Sequence, residues 1–103
     1  MARKHGTTRF GWPFPLHIID AVWQKATPVY AVDPSVRRMD PCGAWIDRAM
    51  YGHTTQSGTG WEIDHIIPVS RGGSDELSNL QPLQWQNNRA KGDGPLSCPV
   101  RAA

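Results

Sequence analysis

A chain of 103 residues holds one core and leaves no room for a second, so its function must rest on a single site or surface. With 39% hydrophobic residues, five tryptophans and 19% charged residues, it reads as a folded domain and not a disordered tail. A formal net charge of +2 permits a nucleic-acid partner without requiring one.

The opening Met-Ala-Arg-Lys-His is basic, but Gly and Pro interrupt Phe10 to Phe14 and no apolar run follows. No signal peptide or membrane span is expected, and cytoplasmic location is the default. A reducing compartment does not sustain disulfides, so Cys42 and Cys98 are expected as free thiols. Residues 1–12 and 93–103, rich in Gly, Pro and small polar residues, are expected as flexible ends around one domain at 13–92.

From Pro15 to Ala26, Leu16, Ile19, Trp23 and Ala26 recur at helical spacing, and Pro15 suits a first turn; the segment predicts an N-terminal amphipathic helix. Pro28, Pro34 and Pro41 then mark a loop, with one turn of helix expected near Ser35 to Met39. Ala44 to Met50 and Trp61 to Val69 are apolar segments separated by Gly52, Gly58 and Gly60. They predict two strands that pair antiparallel across a long polar loop.

Pro68 cannot donate to a ladder, so the second strand should end there, before the turn Arg71-Gly72-Gly73-Ser74. Asn79-Leu80-Gln81 returns toward the sheet, and Gln84 to Lys91 predicts a helix that Gly92 stops with a left-handed cap. The class is α+β.

Chemistry concentrates at Glu62-Ile63-Asp64-His65, where an acid adjoins the one side chain whose ordinary pKa, about 6.5, lies near neutrality. Phosphodiester hydrolysis needs a base for water and a cation for the leaving oxygen, on opposite sides of the phosphorus. Adjacent strand residues point to opposite faces, so Asp64 could hold a metal while His65 reaches the water.

Asp64-His65-Ile66-Ile67-Pro68, then Gly72-Gly73, Ser78-Asn79-Leu80-Gln81 and Asn88-Arg89-Ala90-Lys91, together resemble the HNH endonuclease family over Trp61 to Gly92. The resemblance implies a ββα-metal (His-Me finger) core, in which a two-stranded hairpin and a short helix surround one divalent cation. It implies His65 as general base and Asn79 as the catalytic residue that pins the loop and orients that base. Asp64 and Asn88 match the metal ligands, and Arg71, Arg89 and Lys91 the phosphate contacts. The final family position lies nine residues past Asn79 and holds Asn88 in place of His, which makes this an H-N-N variant.

The resemblance further implies hydrolysis of DNA that leaves 5′-phosphate and 3′-hydroxyl ends. Two oxygen-donor ligands favour Mg²⁺ or Mn²⁺, with Co²⁺, Ni²⁺ or Zn²⁺ as alternatives. Many HNH proteins carry two Cys-x-x-Cys pairs on a structural zinc. Here Trp45 stands at the partner position of Cys42, and Gln84 and Asn87 stand where the second pair would lie, so no structural zinc is expected. Packed Trp23, Trp45, Trp61 and Trp85 are expected to supply that stabilisation. The alternatives are a catalytically weak DNA-binding module and a nuclease subunit that works with partner proteins of a phage packaging or restriction system.

Overall fold

The structure, a computed structural model, describes residues 3–56 and 58–102; residues 1–2 and 103 of the expected flexible ends lie outside the described residues. Pro15 stands one residue before helix α1 (Leu16–Trp23), and its carbonyl accepts from the N–H groups of Ile18 and Ile19. Proline suits this place because the first turn leaves N–H groups unused. The inward side of α1 consists of Val22 and Trp23, with Ile18 and Ile19 packed against it. Leu16, expected to face inward, is 67% exposed, because the helix is a single short pair of turns whose core contacts gather at its C-terminal end.

The turn of helix expected near Ser35 to Met39 is instead a strand, β1 (Arg37–Met39), antiparallel to β2 (Trp45–Asp47). Two arginines decide this. Arg37 faces Asp47 in register and its Nε donates to Asp47 Oδ1 at 2.7 Å. Arg38 points inward on the other face, where its guanidinium donates to the carbonyls of Pro34, Gln24 and Ala26. An extended backbone lets the two side chains diverge in this way, which one helical turn would not.

The expected pairing of Ala44 to Met50 with Trp61 to Val69 is also corrected. β3 (Trp61–His65) pairs antiparallel with β4 (Leu80–Gln84), from Trp61 opposite Gln84 to His65 opposite Leu80. Past that earlier segment, the chain meets the start of β3 through Gly52 N–H to the Trp61 carbonyl at 2.9 Å and a Tyr51–Trp61 bridge. Leu80, Pro82 and Leu83 bury fully against β3 and the core, and that apolar area outweighs what the polar segment near Tyr51 could offer. β3 stops at His65, followed by Pro68 and a 3₁₀ turn at Val69–Arg71 that Gly72 closes in the left-handed region, φ 87°.

Helix α2 (Trp85–Lys91) follows β4 directly. The Gln84 side chain caps it by accepting from the N–H groups of Gln86 and Asn87. Gly92 ends it with positive φ, 51°, but its ψ of −130° lies outside the left-handed helical basin expected for it. The fold is thus a small α+β arrangement of two helices and two antiparallel strand pairs.

Trp61 is fully buried at its centre, 5.4 Å from the Trp23 ring and 4.9 Å from Tyr51, edge-on. Trp45 and Trp85 are half-buried and carry the guanidinium groups of Arg37 and Arg89 over their rings.

Asp40, at the β1–β2 turn and 2% exposed, joins the two halves. Its Oδ1 accepts from the N–H groups of Cys42 and Ala44, and its Oδ2 from Gln84 N and Asn87 Nδ2. The free thiols expected at Cys42 and Cys98 are contradicted, since the two form a disulfide with Cα atoms 5.4 Å apart. The expectation rested on compartment alone, whereas the C-terminal segment folds back on α2. Val100 exchanges hydrogen bonds with the Asn87 amide, and Ala102 N donates to the Gly43 carbonyl.

Candidate active site

Every residue of β3 is buried, three ionisable ones among them: Glu62, Asp64 and His65. Burial of such groups is costly unless each finds a partner. Each does.

His65 Nε2 lies 2.7 Å from Asp75 Oδ1. Asp75 is itself fixed by the Arg9 N–H, which donates to both its oxygens. A carboxylate can only accept, so Nε2 carries the proton in the neutral ring and Nδ1 is left with its lone pair. Asn79 holds the loop that delivers Asp75. Its Oδ1 accepts from Ile67 N at 2.8 Å, and its Nδ2 donates to the carbonyls of Ile67 and Ser74 at 3.1 and 2.9 Å. Gly73 is required in this loop, because a Cβ there would stand 1.7 Å from the Ile67 carbonyl oxygen. Lys25 adds a brace, with its ammonium donating to the carbonyls of Leu77 and Leu80 on either side of Asn79.

Asp64 Oδ2 accepts from Gln81 Nε2 at 2.9 Å, a cross-strand pair in register. Lys91 Nζ lies 3.4 Å from Asp64 Oδ1 and donates to the His65 carbonyl at 3.1 Å. Burial pushes the Asp64 carboxyl above the ordinary carboxylate range, and the Gln81 hydrogen bond and the Lys91 charge pull it partly back.

Asn88, on α2, donates from Nδ2 to Glu62 Oε1 at 3.0 Å. Because Glu62 accepts only, it fixes which end of the amide faces it and turns the carbonyl oxygen the other way. Arg89 Nη2 donates to the second Glu62 oxygen at 3.0 Å.

Asp64, His65 and Asn88 thus wall one cavity of about 110 Å³, which the N-terminal residues Arg3, His5 and Gly6 also line. Asn79 is one loop removed, and Arg71 is exposed outside the cavity on the turn Val69–Arg71. Arg89 is 40% exposed at the helix surface, while Lys91 is buried with its ammonium turned inward.

Sequence reasoning missed Asp75, Glu62 and the N-terminal wall. Glu62 carried a signal, since strand alternation places it on the face of Asp64. Asp75 carried none short of the loop's closure, and the N-terminal wall depends wholly on tertiary return.

The donors fit a hard divalent cation. One carboxylate and one amide oxygen share a small polar cavity, and a hard ion of this kind keeps several waters and substrate oxygens in its shell. Among the described residues no group of three or more His, Cys, Asp or Glu is arranged to hold a metal.

Comparison with curated proteins and with solved structures finds no match. The HNH endonuclease family model matches residues 51–94, a segment that contains β3, β4, α2 and every site residue expected from the sequence. Nucleases of that family act on DNA and commonly use a divalent metal ion. Over residues 51–94 this chain is similar to the HNH endonuclease family.

Proposed function

We propose that this chain is a metal-dependent endonuclease that hydrolyses DNA phosphodiester bonds by a single-metal mechanism, on a ββα-metal core formed by β3, β4 and α2. The observation that carries the reading is the shared cavity of Asp64, His65 and Asn88, with the His65 ring already oriented by Asp75.

In this reading His65 acts through Nδ1, taking a proton from the attacking water while Asp75 steadies the imidazolium that forms. Asn79 acts at one remove, by pinning Ile67 and Ser74 and with them the loop that presents Asp75. Asp64 and Asn88 offer oxygen donors in the H-N-N manner, and Mg²⁺ or Mn²⁺ is the proposed ion. Once bound, the cation would neutralise charge on the phosphate and the departing 3′ oxygen. Arg71 and Arg89 are proposed phosphate contacts. Lys91 can join them only by leaving Asp64 and the His65 carbonyl.

Among the described residues no helix is long and apolar enough to cross a membrane. A cytoplasmic setting belongs to the proposal and stands against the Cys42–Cys98 bond, which oxidising compartments favour. The function is tested by incubating supercoiled plasmid with the protein in Mg²⁺, Mn²⁺ and EDTA. Nicked or linear DNA with 5′-phosphate ends in the metal lanes only is the expected result. Equal cutting in EDTA, or none in any lane, overturns the proposal.

A further inference from the structure

The structure holds a second feature with nucleic-acid chemistry, outside β3, β4 and α2. Thr7 to Pro13 form a tight turn. Thr8 N donates to the Trp12 carbonyl at 2.7 Å, Gly11 N to the Thr8 carbonyl at 2.8 Å, and Trp12 N to Thr8 Oγ1 at 3.1 Å. The turn projects Phe10, 75% exposed, and Trp12, 68% exposed, into solvent. Two large rings held outward by a hydrogen-bonded turn keep apolar surface in water without any gain to the core.

The Arg9 guanidinium lies over the Phe10 ring, 5.2 Å from its centroid, and takes one face. Beneath the turn is a cleft of about 590 Å³ lined by Arg3, Lys4, Arg9 and Phe10, a size suited to a small ligand. Three cations around one aromatic ring match a nucleotide, with phosphate to the cations and base to the open ring face.

Position strengthens the match. Arg3 lines this cleft and the catalytic cavity alike. The Arg9 N–H donates to Asp75, the residue that holds His65. The cleft therefore adjoins the catalytic cavity. Bases inside a duplex have both faces stacked, so only an unpaired base can use the Phe10 ring.

We propose that this cleft is a subsite for one unpaired nucleotide of the DNA strand next to the cleaved phosphate, with its base stacked on Phe10 and its phosphate held by Arg3, Lys4 and Arg9. The inference rests on the nuclease reading for its substrate, and its test separates the two.

Affinity is measured by fluorescence anisotropy in EDTA, for a continuous duplex and for the same duplex carrying a one-nucleotide gap. Wild type should favour the gapped duplex by on the order of tenfold. Phe10→Ala should bring that ratio close to one without weakening binding to the continuous duplex, and Phe10→Tyr should preserve it. Phe10 is exposed, so neither substitution threatens the fold. An unaltered ratio in Phe10→Ala, or no preference in wild type, overturns the subsite. The same preparations are assayed on plasmid with Mg²⁺. Cleavage together with a Phe10-independent ratio removes the subsite alone. A Phe10-dependent ratio without cleavage removes the nuclease reading and keeps the subsite.

Discussion

The two antiparallel strand pairs handle their acidic side chains in opposite ways. In β1–β2 the cross-strand pair Arg37–Asp47 sits near the surface, with side chains 44% and 22% exposed, where solvent screens it and little depends on it. In β3–β4 the ionisable side chains of Glu62, Asp64 and His65 lie inside, each held by a named partner from β4, α2 or the loop before β4. Buried acids bring little net stability even when satisfied, which sets Glu62 and Asp64 apart from the screened Asp47. The contrast separates a supporting pair from the pair proposed to carry the chemistry, and it predicts that damage to the first lowers stability while damage to the second lowers cleavage.

The largest expected effect follows from His65→Ala. Loss of a general base lowers kcat by about 10²–10⁴-fold, and circular dichroism and DNA affinity should stay close to wild type. Plasmid cleavage at the wild-type rate by the folded variant would remove His65 from the reaction and leave β3 without its distinction.

Next comes Cys98→Ser, which opens a crosslink between the β1–β2 turn and the C-terminal segment over a separation of 56 residues. A stability loss of about 2–4 kcal/mol in urea titrations is expected, with cleavage at low temperature retained. Cleavage lost in step with a small stability change would mean that the supporting half reaches into the site.

Asn88 tests the second pair at the ion. Asn88→Ala should weaken Mn²⁺ binding by calorimetry at least about tenfold, beyond the fall in Tm expected when buried Glu62 loses a donor. Asn88→His supplies an imidazole nitrogen and should shift preference from Mg²⁺ toward Co²⁺, Ni²⁺ or Zn²⁺. Undiminished metal affinity in Asn88→Ala would sink the H-N-N reading.

Lys91→Ala distinguishes two roles for one cation. A phosphate contact would reduce the salt slope of DNA binding by about one. The inward ammonium instead leads to a lower Tm and an unchanged slope, because the variant leaves Asp64 buried without its charge partner.

The smallest effect belongs to Asp47→Asn. The hydrogen bond from Arg37 holds the Asp47 carboxyl below its ordinary value of 3.8, against some desolvation. The stability it contributes is therefore present above the unfolded pKa and is lost as pH falls through the depressed one. Since both side chains reach solvent, the loss at neutral pH should stay under about 1 kcal/mol, fading in acid. A larger cost would erase the contrast between the two strand pairs.

Legibility in the sequence followed the range of the forces involved. Periodicity and proline placement located α1 and α2, since helix spacing and missing N–H groups are local properties, but put the end of β3 at Pro68 where it falls at His65. Strand partners were misread because pairing depends on which apolar face buries best, and Asn79-Leu80-Gln81 looked like a brief return and not the start of a full strand. β1 was hidden by Arg38, a charged residue whose burial depends on carbonyls supplied from three other positions. In the site, the motif residues Asp64, His65 and Asn88 were readable as types at a spacing. Asp75 was not, because its contact with His65 exists only after Asn79 and Gly73 have folded the intervening loop.

The Asp40 carboxylate has a consequence for where the folding unit begins. The family match starts at Tyr51, yet the donors Gln84 N and Asn87 Nδ2, within the matched segment, find their acceptor eleven residues upstream of that start. A fragment cut at Tyr51 would leave both without it at the head of the helix that carries Asn88. The stretch that is recognisable as a motif is therefore shorter than the stretch that melts as one cooperative body, and a graft of the motif into another scaffold would have to bring along a substitute for that distant acid.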